Sequence, residues 1–255
     1  MLKRELLRFF ASALFFSRIP VPFGKSIKEK HFQKAIRYFP WIGFIISSFI
    51  AVIMYYSCLL LPKPIVILLG LTINTLLTGA LHEDGLADVC DGFGGGYNRQ
   101  RIIEIMKDSH IGTFGVIGLV LSFLFRYAAL SEMPRYFLAV FFIAGNTLSR
   151  FTLVTVMQHF PYVGSYESSK ARTVIGKIST TDLLIAAIPI IPAFLLTENI
   201  YCLLFIIPVW ITKAFMANYF NHKIGGYTGD CMGAIQQITE IIFYITALVW
   251  LKFTW

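Results

Sequence analysis

Seven apolar stretches run along the chain, at approximately 39–62, 64–82, 112–131, 136–158, 183–197, 200–220 and 235–251. Each is long enough, or nearly so, to cross roughly 30 Å of hydrocarbon as a helix. The fifth is the weakest, short and holding Pro189 and Pro192. Ahead of them, "MLKRELLRFFASALFFSRIPVP" starts basic and turns briefly apolar, as a signal peptide does. It lacks a small-x-small cleavage site, and Arg18 interrupts the apolar run, so a short interfacial or re-entrant helix is expected instead. The pattern predicts an all-α polytopic membrane protein with about seven transmembrane helices. No internal repeat or low-complexity linker divides it, so residues 1–255 read as a single domain.

Composition agrees. The 255 residues are 56% hydrophobic and 14% charged, where a soluble domain carries about 25% charged residues. The net charge of +8 is read as orienting the chain in a bilayer rather than binding nucleic acid. With the N-terminus inside, the lysines and arginines before residue 39 share one face with Arg99, Arg101, Lys107, Lys170, Arg172, Lys177 and Lys223. Only Lys63, Arg135 and Lys252 fall on the other face, while Arg126, Arg150 and Lys213 lie within spans. Loops rich in Lys and Arg stay cytoplasmic. Residues 79–115, 159–182 and 221–234 are therefore expected on the cytoplasmic face, with the C-terminus outside. Cys58, Cys90, Cys202 and Cys231 have no C-x-x-C spacing, which argues against a disulfide framework or a zinc site.

The stretch "GALHEDGLADVCDGFGGGYNRQRIIEIMKDSHIGTFG" concentrates acid in an oily chain. On a helix at about 100° per residue, Asp84, Asp88 and Asp91 fall within a sector of roughly 60°, with Glu83 on another face. Three carboxylates on one stripe repel unless a cation sits among them. Oxygen-only ligands favour Mg²⁺ or Mn²⁺ over zinc. The expected ligands are Asp84, Asp88 and Asp91, with Asp108 closing the site from the next helical stretch. On this reading Glu83→Gln is mild. Gly94, Gly95 and Gly96 end the helix and read as a nest of backbone N–H groups for phosphate, with Arg99, Arg101 and Lys107 beside it.

Charges within spans are costly and usually functional unless they snorkel. Arg150 is taken as functional, Lys213 as snorkelling, and Arg126 as snorkelling outwards. Asp230 in "YTGD" suits a metal or substrate contact as well as an ordinary turn, and His82 suits a helix end.

"LHEDGLADVCDGFGGG" followed by "EIMKDSHIGTFG" resembles the signature of the cobalamin synthase family, the adenosylcobinamide-GDP ribazoletransferases. "FFSRIPVP" at 15–22, Ser149-Arg150, "IGKIS" at 175–179 and "GGYTGDCMGAIQQITE" at 225–240 are similar to further family motifs, in order along nearly the whole chain. The resemblance implies a Mg²⁺-dependent phosphoryl transfer. Adenosylcobinamide-GDP and α-ribazole, or its 5′-phosphate, would give adenosylcobalamin, or its 5′-phosphate, and GMP. It adds Ser109, Lys177 and Thr228 to the substrate-binding candidates through the motifs that contain them. A CDP-alcohol phosphotransferase is a rival, although its D-G-x-x-A-R continuation is missing. A cation transporter is another, although it would hold its acids near mid-membrane. A homo-oligomer, or association with other cobamide-assembly enzymes, is left open.

Overall fold

The computed structural model describes residues 2–22, 27–164 and 178–254, so Lys170, Arg172 and Lys177 fall outside the described residues. Among those described, all regular structure is helical apart from one bridge between Tyr162 and Tyr227. In chain order the helices are α1 (Leu2–Phe16), α2 (Glu29–Phe32), α3 (Phe39–Ser57), α4 (Lys63–Thr78), α5 (Leu81–Gly95) and α6 (Arg99–Met106). Then come α7 (Thr113–Ser131), α8 (Arg135–His159), α9 (Thr180–Ala187), α10 (Ile190–Leu195), α11 (Ile206–Ile224) and α12 (Gly229–Thr254). Short 3-10 turns lead into α3 and α11.

Among the described residues, five segments can cross a membrane by length and apolarity: Ala35–Ser57, Thr113–Ser131, Arg135–His159, Ile200–Ile224 and Gly229–Thr254. A sixth is α4 with α5, if that pair, bent by 89°, is one span. The bend lies at Gly79 and Ala80, both left-handed (φ 68° and 57°). A non-glycine residue tolerates that conformation only when its surroundings impose it. The expected fifth crossing is two short helices, broken where the Pro189 and Pro192 rings remove backbone donors. Residues 180–195 would span about 24 Å at 1.5 Å per residue if continuous.

This short segment nevertheless runs from one end of the bundle to the other. At its start Asp182 pairs with Arg37 (3.0 Å), just ahead of α3. At its finish Leu196 and Glu198 accept hydrogen bonds from the Tyr136 hydroxyl, at the start of α8. Those are opposite ends, because α3 packs along α8 with Tyr55 near the exit of α3 meeting Arg135. The same accounting carries α11 back, so the turn at Gly225–Thr228 lies at the Arg37 end, where Tyr227 meets Tyr162 beyond α8.

The core has two apolar halves. One surrounds Phe141, Phe205 and Phe243 towards the Tyr136 end, and the other surrounds Phe39, Leu86 and Ile235 towards the Arg37 end. Helix α1 leans on the second half through Phe16, which contacts Phe39 at 4.0 Å between ring centroids. Its Glu5 is gripped by Arg8, Arg37 and Tyr38, while Leu2, Leu6 and Leu14 remain exposed. An exposed apolar edge on a basic helix suits the expected interfacial helix.

Candidate active site

Helices α5 and α12 cross at Gly85 and Gly233. A methyl group at Gly85 would sit 2.9 Å from the Asp230 carbonyl oxygen, and one at Gly233 would sit 3.0 Å from the His82 carbonyl oxygen. A methyl would clash at Gly85 and be tightly crowded at Gly233, as is usual where membrane helices approach closely. The crossing has a chemical result. It sets Asp230, in the first turn of α12, beside the Asp84–Asp88 stripe of α5. Thr228 starts α12 by accepting the Cys231 N–H on its hydroxyl (3.2 Å), an N-cap arrangement.

These groups edge a cavity of about 360 Å³. Asp84, Asp230, Thr228, His82 and Lys107 supply its polar lining. The rest is largely apolar and comes from α1, α3, α5, α6, α8 and α12, with Tyr162 and Tyr227 from the turns beside α8 and α12.

The carboxylates divide into two groups. Asp84 and Asp88 have no side-chain hydrogen bond or ion pair among the described residues, and Asp88 faces Asp84, Asp91 and Asp230. Asp91 is committed elsewhere. Its two oxygens accept the Gly112 N–H (2.7 Å) and the Gly115 N–H (2.8 Å), capping α7. Asp108 departs from expectation, being exposed and bonded to His110 (2.7 Å). The His110 ring and then the His110 backbone N–H hold its carboxyl below the usual range. Asp108 therefore caps a turn and does not close the acidic stripe.

Among the described residues no three His, Cys, Asp or Glu side chains converge as a metal cage. That is compatible with Mg²⁺, which keeps waters and takes one or two carboxylates plus substrate phosphates. Asp84 and Asp88, without side-chain partners, and Asp230, which accepts from the Thr228 hydroxyl (3.3 Å), face one another and fit such a cation in donor type; Asp91 and Asp108 do not stand free to join them.

Glu83 lies off the stripe, as the helical wheel predicts, but it is not idle. It is buried, 3.7 Å from the Arg126 guanidinium, and it accepts a hydrogen bond from Gln237 (3.3 Å). Arg126 is 1% exposed, so the expectation that it snorkels outwards fails. A counter-charge within the bundle removes the reason to reach water. From this pair a polar belt runs between the two apolar halves. Gln236 reaches Glu240 (2.6 Å), Tyr244 reaches Glu240 (3.0 Å), and Asn146 links Tyr244 to Arg150. The sequence reading missed Asn146, Gln236, Gln237, Glu240 and Tyr244, although Glu240 inside an apolar span was a legible signal.

Several phosphate-site expectations also change. The Gly94–Gly96 segment forms no nest, because α5 continues through Gly95 and the Gly96 N–H bonds Gly92. Its glycines make room instead. A methyl at Gly94 would meet Phe114, at Gly95 Ile105, and at Gly96 Ile102. Arg101 points to solvent with Glu104 as partner (3.3 Å). Arg99 lies against the Gly225 turn in a small separate cleft with His222 and Lys223. Ser109 is exposed beside Asp108, away from the cavity lining. Arg150 is buried beneath the cavity, its guanidinium donating to Asn146 and facing the Phe39 ring at 5.7 Å. Of the candidates, Lys107, Thr228, Asp230 and Asp84 line the cavity itself, and Lys177 lies outside the described residues.

The family model described as cobalamin-5-phosphate synthase matches residues 8–248. An adenosylcobinamide-GDP ribazoletransferase of Shewanella frigidimarina is 37% identical over 248 residues, covering 96% of this chain and 95% of its own. A protein of the same name from Leptospira interrogans is 38% identical over 256 residues, covering 96% of each chain. One from Clostridium novyi is 35% identical over 235 residues, covering 92% of this chain and 93% of its own. No solved structure matches. Similarity of this extent, running from α1 through most of α12 and through every motif of the acidic cleft, places the chain in the cobalamin-5-phosphate synthase family.

Proposed function

We propose that this protein is a bacterial inner-membrane enzyme. It moves the adenosylcobinamide-phosphate group from adenosylcobinamide-GDP to α-ribazole or its 5′-phosphate, releasing GMP. The observation that carries this reading is the end-to-end similarity to relatives bearing that enzyme's name. The cleft supports it, with carboxylates and one lysine among the lining of a largely apolar cavity.

The reaction makes one P–O bond and breaks another. The acceptor hydroxyl oxygen attacks the corrinoid-side phosphorus, the bond to the GMP oxygen breaks, and the hydroxyl proton is lost. Asp84 and Asp230, in the cavity lining, are the groups placed to take that proton. Lys107 supplies a cation for phosphate oxygens from the same lining. Two of Asp84, Asp88 and Asp230 would hold Mg²⁺ or Mn²⁺, which when bound supplies charge neutralisation on the diphosphate. His82, packed flat against Phe39 (5.5 Å), walls the cavity beside Asp84.

The distribution of basic residues orients this end of the bundle towards the cytoplasm, where both substrates are soluble. The test is GMP release by the purified protein from adenosylcobinamide-GDP with either acceptor. Absence of release with both, with Mg²⁺ and with Mn²⁺, sinks the assignment.

A further inference from the structure

The two substrates of the proposed reaction differ greatly in size, and the cavity matches the smaller better. Its volume of about 360 Å³ lies near the low end of small-molecule pockets, roughly 300–1,000 Å³. A pocket of that class suits the smaller, nucleoside acceptor better than the corrinoid. The lining is divided in the same sense. Asp84, Thr228, Asp230, His82 and Lys107 give the polar part, while the apolar part includes the partly exposed Phe15 of α1, Ile103 of α6, Met157 of α8 and Met232 of α12. A flexible thioether and an aromatic edge are surfaces that favour a flat π-system. A polar group without a partner would be penalised there.

We propose that this apolar chamber is the acceptor subsite. It seats the acceptor's aromatic base against Phe15 and Met157, so that the attached ribose reaches the Asp84–Asp230 edge, while the corrinoid stays on the open rim. This rests on the function proposed above. It assigns to α1, otherwise an interfacial helix, a part in selecting the acceptor.

The experiment measures GMP release by the full-length protein with each substrate varied in turn. Phe15→Leu and Met157→Ala should each raise the KM for α-ribazole, on the order of tenfold for loss of one stacking or packing partner. The KM for adenosylcobinamide-GDP should stay within about twofold of wild type, since the donor would not touch these side chains. A raised donor KM with an unchanged acceptor KM overturns the assignment, and so do two unchanged values. The unaltered protein offers a second test that needs no variant. Ribose 5-phosphate, which lacks the base, should be a poorer acceptor than α-ribazole 5′-phosphate by at least on the order of a hundredfold in kcat/KM. Equal kcat/KM for the two overturns the inference and leaves the function standing. No GMP from any acceptor overturns the function, and this subsite with it.

Discussion

Replacing Glu83 by Gln should destabilise the protein far more than replacing Asp88 by Asn, although both remove one carboxylate from α5. Glu83 and Arg126 are 4% and 1% exposed and 3.7 Å apart. Two unit charges at that distance attract by roughly 4–5 kcal/mol at an effective dielectric of about 20. Glu83→Gln leaves Arg126 charged, buried and without its counter-ion, and removing one member of a buried pair costs about 3–5 kcal/mol. In a chain of this size each kcal/mol moves the unfolding midpoint by roughly 2–4 °C, so a fall on the order of 10 °C is expected. Asp88 is half-buried among Asp84, Asp91 and Asp230 with no cation paired to it. Its loss relieves repulsion, so Asp88→Asn should melt at or above the wild-type temperature while turnover collapses. Adding Arg126→Gln to Glu83→Gln removes the orphaned charge and should restore at least half the lost stability. The assay is thermal unfolding of detergent-solubilised protein, run beside GMP release. A midpoint for Glu83→Gln within about 2 °C of wild type would refute the buried-pair reasoning.

Three further outcomes follow from the geometry. Gly85→Ala or Gly233→Ala should spread α5 from α12 and cost at least tenfold in kcat, because Asp230 is carried away from Asp84. Wild-type turnover in both would show that the close crossing does not set the site. Asp91→Ala should cost about 1–2 kcal/mol by uncapping α7, read as a lowered unfolding midpoint, with Asp91→Asn intermediate because one oxygen remains to accept; equal midpoints for all three proteins would contradict the cap. Single cysteines at 101 and 198 in a cysteine-free background should label from opposite sides of sealed vesicles, since those residues lie at opposite ends of the bundle. Labelling of both from one side would mean that residues 180–195 do not cross.

Much of the fold was legible because burial in a bilayer leaves a direct mark on composition. Helices must satisfy their own backbone groups in hydrocarbon, so a long apolar run is already a structural statement. The acidic stripe was equally legible, because the 100° turn of a helix is fixed whatever surrounds it. Local periodicity therefore put Asp84 and Asp88 together and Glu83 apart. It could not say what each face meets. Whether a carboxylate stands free, like Asp84, or caps a neighbouring helix, like Asp91, depends on which backbone N–H groups another segment brings to it. Glycines were ambiguous for the same reason. Gly94–Gly96 read as a nest from sequence, yet α6 and α7 pack against them, and what a missing side chain admits is decided by the neighbour.

The sequence by itself thus determined that this is a helical membrane protein of the cobalamin-5-phosphate synthase family, with a stripe of aspartates on one face of α5. Those properties are local sums of apolar length, charge placement and motif order. Tertiary structure alone decided that Asp230 joins the site, that Arg126 is neutralised by Glu83 rather than by water, and that α1 walls the cavity. Each depends on groups distant in the chain meeting within a few ångströms. In a low-dielectric interior it is that meeting, rather than the residue type, that fixes whether a charge is free to act.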